Sequence, residues 1–573
     1  MKKISIIFAI VLGIAISCKD EFLDVAPTGS LDKNQLTGKA GIEGSLIAAY
    51  AQLSGLGNYG AGPSMWVWGA IRGGDANKGT DPTDFQEINP IQRYEYSPTD
   101  IHTADAYRGF FEGVARANAV LALLPDARED VSASDKVRIA AEAKFLRAHY
   151  YFQLKRLFNN VPYVDETLNV SNGIEAVPND TDLWPKIEAD FKEAYENLPA
   201  TANAVGRANK WAAATYLAKV YLYQKKYPEA KTLFDAVIEN GTTADGKKYG
   251  LLDNYSDLYR IASDNNKEIV FSVQATVGSG NGNNANSDLQ LNFIQGSQPG
   301  TCCGFFQPSF EFVNAFRTTE GGLPLLDGSY NDPSKAVKND MGITSDKPFD
   351  LDEGPLDPRL DHTVGRRGIP FMDWGVHTGY SMIRNQPNGG PYSPKKYLYS
   401  KAEKDAGLTE TGGWGHQTYN AYNVPVIRFA DVLLMAAEVE IEVGSLDKAL
   451  EYTNMVRGRA MNSSDYVMTE AADGPAANYT IGLYDSFPDA DFARKAVRFE
   501  RRIELGMEGH RFFDLVRWGE DVNDLNRYLS YDQVRLPGAF GGTKYEEKDR
   551  LLPIPQAQID LIGPDILKQN PGY

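Results

Sequence analysis

Apolar residues recur at helical spacing in two adjacent segments between Asn209 and Gly241. A short polar break at 225–227 separates the segments, and Pro228 suits the first turn of the second one, where N–H groups have no helical partner. Gly241 is placed to end that second helix. The two apolar stripes are Trp211, Ala214, Leu217, Ala218, Tyr221 and Leu222, then Ala230, Leu233, Phe234, Val237 and Ile238. The pattern predicts two antiparallel helices.

The alternation of small and large residues in this hairpin is typical of tetratricopeptide repeats. It recurs at Phe429 to Ala460, and more loosely from Val137, with Leu183 to Leu198 as the partner helix. Hairpins this short cannot bury their apolar stripes alone, so they need neighbours of the same kind. We therefore predict a mainly α fold in which tetratricopeptide-like hairpins form a solenoid. Generic helical hairpins are the alternative, and in both cases these residues are scaffold.

Helical periodicity is largely lost between about Lys267 and Asn423, where Gly, Pro, Asn and aromatic residues dominate. Ile269 to Val273 has the pattern of a short strand there, and we expect few short strands in this region. A long irregular insertion between repeat helices is usually functional, so we expect a loop-rich lobe packed on the solenoid. Further helices are predicted at Gly38 to Leu53, His102 to Leu124 and Phe492 to Trp518.

The first residues have the features of a secretory signal. Lys2 and Lys3 precede an uncharged apolar run from Ile4 to Ile16 that is too short to span a bilayer comfortably. Cys18 stands where cleavage is expected and resembles the lipobox cysteine of bacterial lipoproteins, although no Leu stands three positions before it. We predict that Cys18 is acylated and anchors the protein, a soluble secreted protein being the alternative.

These patterns divide the chain into a signal peptide (1–17), a lipidated tether (18–35) and one domain (36–573). Within the domain, N-terminal helical repeats fill 36–266, the loop-rich region fills 267–425, and a last helical repeat and tail fill 426–573. The final segment is punctuated by Pro, and we expect it to run along the surface.

The net charge and the cysteine content exclude several classes of partner and fold. The formal net charge of −18 argues against nucleic acid or an anionic membrane surface as the main partner. Aromatic residues reach 11%, and Tyr and Trp suit binding surfaces. Besides Cys18, the chain contains only the adjacent Cys302 and Cys303, which excludes a disulfide scaffold. We expect these two to be free thiols, with a vicinal disulfide as the alternative.

No catalytic motif stands out. The sequence lacks HExxH and GxSxG, and no two of its six histidines are four positions apart. Asp352, Glu353 and Asp357 offer oxygens for a calcium ion but lack EF-hand spacing, so solvated loop acids are the simpler interpretation. We predict no enzyme activity and no cofactor. A structural ion network, buried or half-buried, is predicted for Glu500, Arg501, Glu504, Arg511 and Asp514.

A carbohydrate site needs aromatic platforms beside polar groups that bind hydroxyls. A Gly-rich stretch from Gly57 to Asp84, with two Trp at alternate positions, suits such a wall. Together the irregular segments supply Trp66, Trp68, Asp75, Arg366, Arg367, Asp373, Trp374, Tyr392 and Trp414. Each of these is as well suited to core packing or to a turn, but the set favours sugar binding.

Several long motifs resemble the SusD/RagB family of surface glycan-binding lipoproteins. They are FLDVAPTGSL after Cys18, then Ala141 to Val164, Tyr422 to Glu440, Phe499 to Gly519, and the ending LPIPQAQIDLIGPDILKQNPGY. The resemblance covers nearly the whole chain. It implies a helical fold with tetratricopeptide units, a lipid anchor in the outer membrane facing the exterior, and no catalysis. It also implies a partner, a SusC-like TonB-dependent barrel on which the lipoprotein sits as a hinged lid.

Within that family, TCCGFFQPS, TVGRRGIPFMDWG and GGPY are similar to members that capture neutral glycans such as fructans or β-glucans. The resemblance implies ligand contacts for Cys302, Cys303, Arg366, Arg367, Trp374 and Tyr392. Three other functions stay open: a peptide-capturing lid of the RagB type, a surface glycoside hydrolase, and a tetratricopeptide adaptor for protein partners.

Overall fold

The computed structural model describes residues 33–57, 59–168 and 177–573. The predicted signal peptide and Cys18 lie outside them. The longer helices are α1 (Lys39–Ala51), α2 (Ile101–Leu123), α3 (Ala133–Phe158), α4 (Trp184–Asn197), α5 (Lys210–Tyr223), α6 (Tyr227–Asn240), α7 (Phe429–Val443), α8 (Leu446–Ala460), α9 (Ala490–Leu505), α10 (Arg511–Trp518) and α11 (Asp521–Asp532). Short helices span Lys33–Thr37, Asn89–Arg93, Phe310–Asn314, Leu360–Thr363, Gln386–Gly389, Lys401–Asp405, Pro537–Phe540 and Gln556–Ile562. None of the helices seen in these ranges combines the length and apolarity needed to cross a membrane.

The hairpin predicted at 209–241 is formed by α5 and α6. The Asn209 side chain caps α5 by accepting a hydrogen bond of 2.8 Å from the Ala212 N–H. Pro228 lies in the first turn of α6, and Gly241 is its C-cap. A Cβ at Gly241 would lie 2.4 Å from the Tyr249 ring, so the close packing of the following chain requires glycine there. The hairpin and its predicted ends are confirmed.

Consecutive helices stack into a solenoid. From α2 to α6 each helix packs on the next, α6 packs on α7, and α7 packs on both α8 and α9. Helices α2 and α3 approach closely at Gly113, where a Cβ would lie 2.5 Å from the Tyr150 ring. The hairpin predicted at 429–460 is α7 with α8, and the looser copy is α3 with α4. The mainly α fold with tetratricopeptide-like hairpins is confirmed.

Two expectations about the C-terminal part are wrong. The single helix predicted from Phe492 to Trp518 is two helices, because Met507 and Gly509 adopt positive φ angles of 68° and 77° and turn the chain. The tail does not simply follow the surface, since Leu552 and Leu567 are fully buried. The Leu552 N–H donates to the Leu157 carbonyl at 2.7 Å, which fastens the tail to the end of α3.

Short antiparallel strand pairs organise the lobe. The strands are β1 (Ala76–Gly79), β2 (Ile269–Val273), β3 (Phe305–Pro308), β4 (Val364–Gly365), β5 (Ser393–Pro394), β6 (Thr409–Glu410), β7 (Tyr419–Asn420) and β8 (Val424–Arg428). The pairs are β1 with β3, β2 with β8, β4 with β5, and β6 with β7. The strand predicted at 269–273 is confirmed as β2. The pairing of β1 with β3 brings the Gly-rich N-terminal stretch against the lobe.

A buried ion network joins the lobe to the solenoid, as predicted around Glu500 and Glu504. Arg359 of the lobe lies 2.6 Å from Glu500 and 2.9 Å from Glu504 on α9. Arg428 and Arg459 also pair with Glu504. Burial alone would raise the pKa of Glu504, but the three guanidinium groups hold it far below its usual value, so the carboxylate is ionised.

Two of the three acids considered for calcium pair with arginines, and the third, Glu353, is exposed. Asp352 lies 2.6 Å from Arg317, and Asp357 lies 2.8 Å from Arg359. Within the described ranges, no group of three or more His, Cys, Asp or Glu side chains is arranged to hold a metal ion.

Candidate ligand-binding site

The two tryptophans of the Gly-rich stretch are core residues. Trp66 and Trp68 belong to one π-helical turn, Trp66–Ile71, and are 1% and 0% exposed. The Trp68 indole donates to the Gly60 carbonyl at 2.8 Å, and the Trp66 ring packs edge-on against Phe306. That Trp66 and Trp68 contact a ligand remains a prediction, and the burial of both side chains argues against such contact.

Asp75 is also buried. Its carboxylate lies 3.5 Å from Arg502 and accepts a hydrogen bond from the Met507 N–H. Burial raises the pKa of Asp75 to about 6, although Arg502 opposes the shift. Asp75 therefore helps to hold the turn between α9 and α10, and its predicted ligand contact is likewise not favoured.

Three other predicted residues support the inside of the lobe. Arg366 forms a bidentate pair with Asp361, at 2.6 and 2.8 Å. The guanidinium of Arg367 donates to the backbone carbonyls of residues 343, 344, 345 and 347. Tyr392 is 1% exposed and packs edge-on against Phe310. In this structure all three side chains stabilise loops.

Trp374 and Asp373 occupy a different part of the lobe. The Trp374 indole donates to the Tyr399 carbonyl at 3.1 Å and is partly buried against a small apolar cluster. Asp373 accepts hydrogen bonds from the N–H groups of Lys401 and Ala402, at 2.6 and 2.9 Å, so it caps a short helix. Asp373 also lines an open cavity of about 490 Å³ with Arg260 and residues of 467–470.

Trp414 is the most exposed of the predicted aromatic residues. Its side chain is 47% exposed, and its ring meets that of Phe85 edge-on, with centroids 6.0 Å apart. Phe85 is partly exposed and rests in turn on Phe305 and Tyr59, at 5.8 and 6.1 Å. An exposed indole is therefore held by a largely buried aromatic stack. Phe85 was not predicted, and its one signal is that it is the only aromatic residue in a polar segment, DPTDFQEIN.

The adjacent cysteines lie beside this stack. Cys302 and Cys303 form a disulfide, so the expectation of free thiols is wrong. They precede Phe305 of β3, and the neighbouring Thr301 hydroxyl is 3.1 Å from Nδ1 of His416, two residues beyond Trp414. This contact brings the disulfide turn and the Trp414 loop to the same side of the lobe.

Charged groups border the aromatic stack. The Arg384 guanidinium lies 2.6 Å from Asp81 and 2.5 Å from Asp84, and one of its N–H groups points to the Cys303 carbonyl at 3.5 Å. Partial burial would raise the pKa of Asp81, but hydrogen bonds from Thr83 and the charge of Arg384 lower it overall. We call the surface formed by Phe85, Trp414, Arg384 and His416 the capture face; the buried Cys302 and Cys303 lie beneath it, so their burial does not favour the predicted ligand contact.

Comparison with known proteins identifies the protein family to which the chain belongs. The model of the SusD family matches residues 267–573, and a second family model, described as starch-binding associating with outer membrane, matches residues 75–222. The chain belongs to the SusD family.

Its relatives cover the full length. A SusD-like protein of Formosa agariphila is 25% identical over 100% of both chains. The starch-binding protein SusD of Bacteroides thetaiotaomicron is 24% identical, over 97% of this chain and 96% of that protein.

Solved structures share the fold. A laminarin binding SusD-like protein is 24% identical, with a TM-score of 0.66 over 94% of this chain and 100% of that one. Surface glycan-binding protein A from Bacteroides thetaiotaomicron, in complex with laminarihexaose, is 20% identical, with a TM-score of 0.61 over 93% of this chain and 100% of that one.

Proposed function

We propose that this protein captures an oligosaccharide at the exterior of the outer membrane and delivers it to a SusC-like TonB-dependent transporter, on which it acts as a lid. Membership of the SusD family supports this role, and so do relatives that bind starch or laminarin. The observation that carries the proposal is the exposed Trp414 ring on an aromatic stack, next to the charged groups of Arg384 and Asp81.

The capture face suits a sugar ring. The apolar C–H face of a pyranose can stack on the Trp414 indole, while its hydroxyls reach the Arg384 guanidinium. Because Phe85 fixes the indole from its edge and two carboxylates fix the guanidinium, little side-chain entropy is lost on binding. Two neighbours bind laminarin or laminarihexaose, which favours a β-glucan among the neutral glycans considered.

The carboxylates that border the capture face, Asp81 and Asp84, favour glycan binding over glycan hydrolysis. A glycoside hydrolase needs one carboxyl group that is protonated near neutral pH. Both carboxylates at the rim are paired with Arg384, and the pKa of Asp81 is lowered. Asp81 is therefore suited to hold a guanidinium and not to donate a proton.

Calorimetry with laminarihexaose and fructan oligosaccharides tests the proposal. We expect Trp414→Ala to weaken binding of the captured glycan by about 2 kcal/mol, roughly 30-fold, without changing the melting temperature. Tyr380→Ala is the matched control, because Tyr380 is 40% exposed in the same lobe but lies outside the capture face. Unchanged glycan binding by Trp414→Ala would remove the capture face from the proposal. Binding of oligopeptides but no glycan would favour the peptide-capturing lid, and release of sugar products would favour the hydrolase.

The transporter partnership and the anchor need a separate experiment. We expect the protein isolated from outer membranes to copurify with a TonB-dependent barrel, and Cys18→Ala to abolish its membrane association. Recovery of the wild-type protein without a barrel would favour the adaptor function.

A further inference from the structure

A second pocket lies on the solenoid, between α9, α10 and α11 and the loop at 326–330. Its volume is about 220 Å³, and its lining is unusually basic: Lys495, Arg498, Arg502, Arg511 and Arg527, against Glu520 and Asp524. None of these elements contributes to the capture face. A concentration of cations is unexpected in a chain with a net charge of −18.

One stripe of α9 supplies most of the cations. Lys495, Arg498 and Arg502 follow each other at spacings of three and four residues, so they lie on one side of the helix. Phe499, in the same stripe, forms an aromatic wall with Tyr330, at a centroid distance of 5.9 Å. The helix therefore presents guanidinium groups and an aromatic ring to the same space.

The carboxylates in the pocket are too few for the cations. Asp524 is shared by Arg511 and Arg527, at 2.8 and 2.9 Å. Glu520 pairs with Arg498 at 3.1 Å. Among the residues that the structure describes, no carboxylate pairs with Lys495. Below the pocket, Arg502 pairs with Glu311 and lies 3.5 Å from Asp75, and Glu311 is 3.8 Å from Arg527.

Arg511 gives an independent sign that the pocket accepts an anion. It is 9% exposed, and its Nε–H has no hydrogen-bond acceptor within the described part of the chain. Burial and the charge of Arg502 both lower the pKa of Arg511, because two guanidinium groups are crowded in a space of low polarity. An unpaired buried donor of this kind is costly unless a ligand supplies the acceptor.

We propose that this pocket binds an oxyanion group, a sulfate, phosphate or carboxylate, of a small ligand. Guanidinium groups present planar sets of donors that match the oxygens of such anions. The pocket holds several times the ~30 Å³ that a water molecule occupies in the liquid, which leaves room for the anion and part of its carrier. The partly exposed ring of Phe499, which rests on the buried Tyr330, suits an apolar face of that carrier.

Binding of sodium sulfate to the full chain, measured by calorimetry at constant ionic strength, tests this inference. We expect saturable binding that the double variant Arg498→Gln/Arg527→Gln weakens by at least about tenfold, as expected for loss of charged hydrogen bonds. Both side chains are partly exposed, so the fold should be retained. Arg494→Gln is the control, because Arg494 lies on the same helix, is 33% exposed and pairs with Glu442.

Three results would overturn the inference: no saturable sulfate binding, equal weakening in Arg494→Gln, or unchanged binding in the double variant. Comparison of inorganic sulfate with a sulfated monosaccharide, its unsulfated parent and glucuronate then identifies the source of the anion. Tighter binding of a charged sugar than of sulfate assigns the site to a charged glycan, and equal binding assigns it to a free ion. Binding of the neutral glycan at Trp414 should not change in the double variant, so the two proposals fail separately.

Discussion

Glu508 offers a direct test of the buried ion network. Its carboxylate is 6% exposed and accepts hydrogen bonds from Arg428 at 2.9 and 3.0 Å, from Lys396 at 2.8 Å and from the Tyr259 hydroxyl at 2.9 Å. Burial alone would raise the pKa of Glu508, but Arg428 and Lys396 lower it from 4.5 to about 2. A pKa difference of that size corresponds to about 3 kcal/mol of stability. Removal of one partner from a buried ion pair costs about 3–5 kcal/mol, which agrees with the stabilisation derived from the pKa of Glu508.

We therefore expect Glu508→Gln to lower the free energy of unfolding at pH 7 by about 3 kcal/mol. Because the folded-state pKa lies below the unfolded value, the carboxylate stabilises the fold fully above pH 4.5 and loses this effect as the pH falls through about 2. The difference between wild type and variant should thus be constant between pH 7 and about 5 and shrink on further acidification.

Urea unfolding followed by tryptophan fluorescence at pH 7, 5 and 3 measures both effects. Glu193→Gln is the control, because its carboxylate is 46% exposed and pairs with Lys144 at the surface. Such a pair is worth less than about 1 kcal/mol. A loss below about 1 kcal/mol for Glu508→Gln at pH 7, or a loss independent of pH, would refute the electrostatic interpretation of the network.

Three further predictions concern packing. Trp374→Ala should lower the free energy of unfolding by about 2 kcal/mol, because the partly buried indole supports the cluster around Tyr399, and an unchanged melting temperature would contradict this. Gly113→Ala should destabilise the protein by about 1–3 kcal/mol, since the added Cβ would lie 2.5 Å from the Tyr150 ring. Gly44→Ala in α1 is its counterpart: no atom lies within 4 Å of the added Cβ, so we expect a gain of up to about 1 kcal/mol. Urea unfolding measures all three, and equal effects of the two glycine variants would contradict the close approach of α2 and α3.

The scaffold was predictable because its signals are local. For α5 and α6, each signal lies within a few helical turns: the apolar stripes, the cap at Asn209 and the break before Pro228. The turn between α9 and α10 was missed because Met507 is not a residue that normally marks a positive φ angle.

The candidate site was less predictable because it depends on contacts between distant segments. Trp66 and Trp68 had the spacing of a binding wall, but a π-helical turn directs both into the core against Phe306 and Gly60. Trp414 is one of several aromatic residues in the predicted set. Its contact with Phe85, which only the tertiary structure shows, is needed to single it out as a ligand platform. The carboxylates that pair with Arg384 are likewise distant in sequence, since Asp84 is 300 positions away.

The pairing of β1 with β3 has a consequence for biosynthesis. Asn388 donates to the Gly79 carbonyl across 309 positions, and Arg72 donates to the Asp549 carbonyl across 477. As the chain emerges from its N-terminus, helices α2 to α6 can stack on one another, since their contacts are between neighbours. The segment around β1 must wait until almost the whole polypeptide has been made. The buried contacts that hold the segment around β1 are therefore completed last, and a chain released early would carry helices α2 to α6 without them.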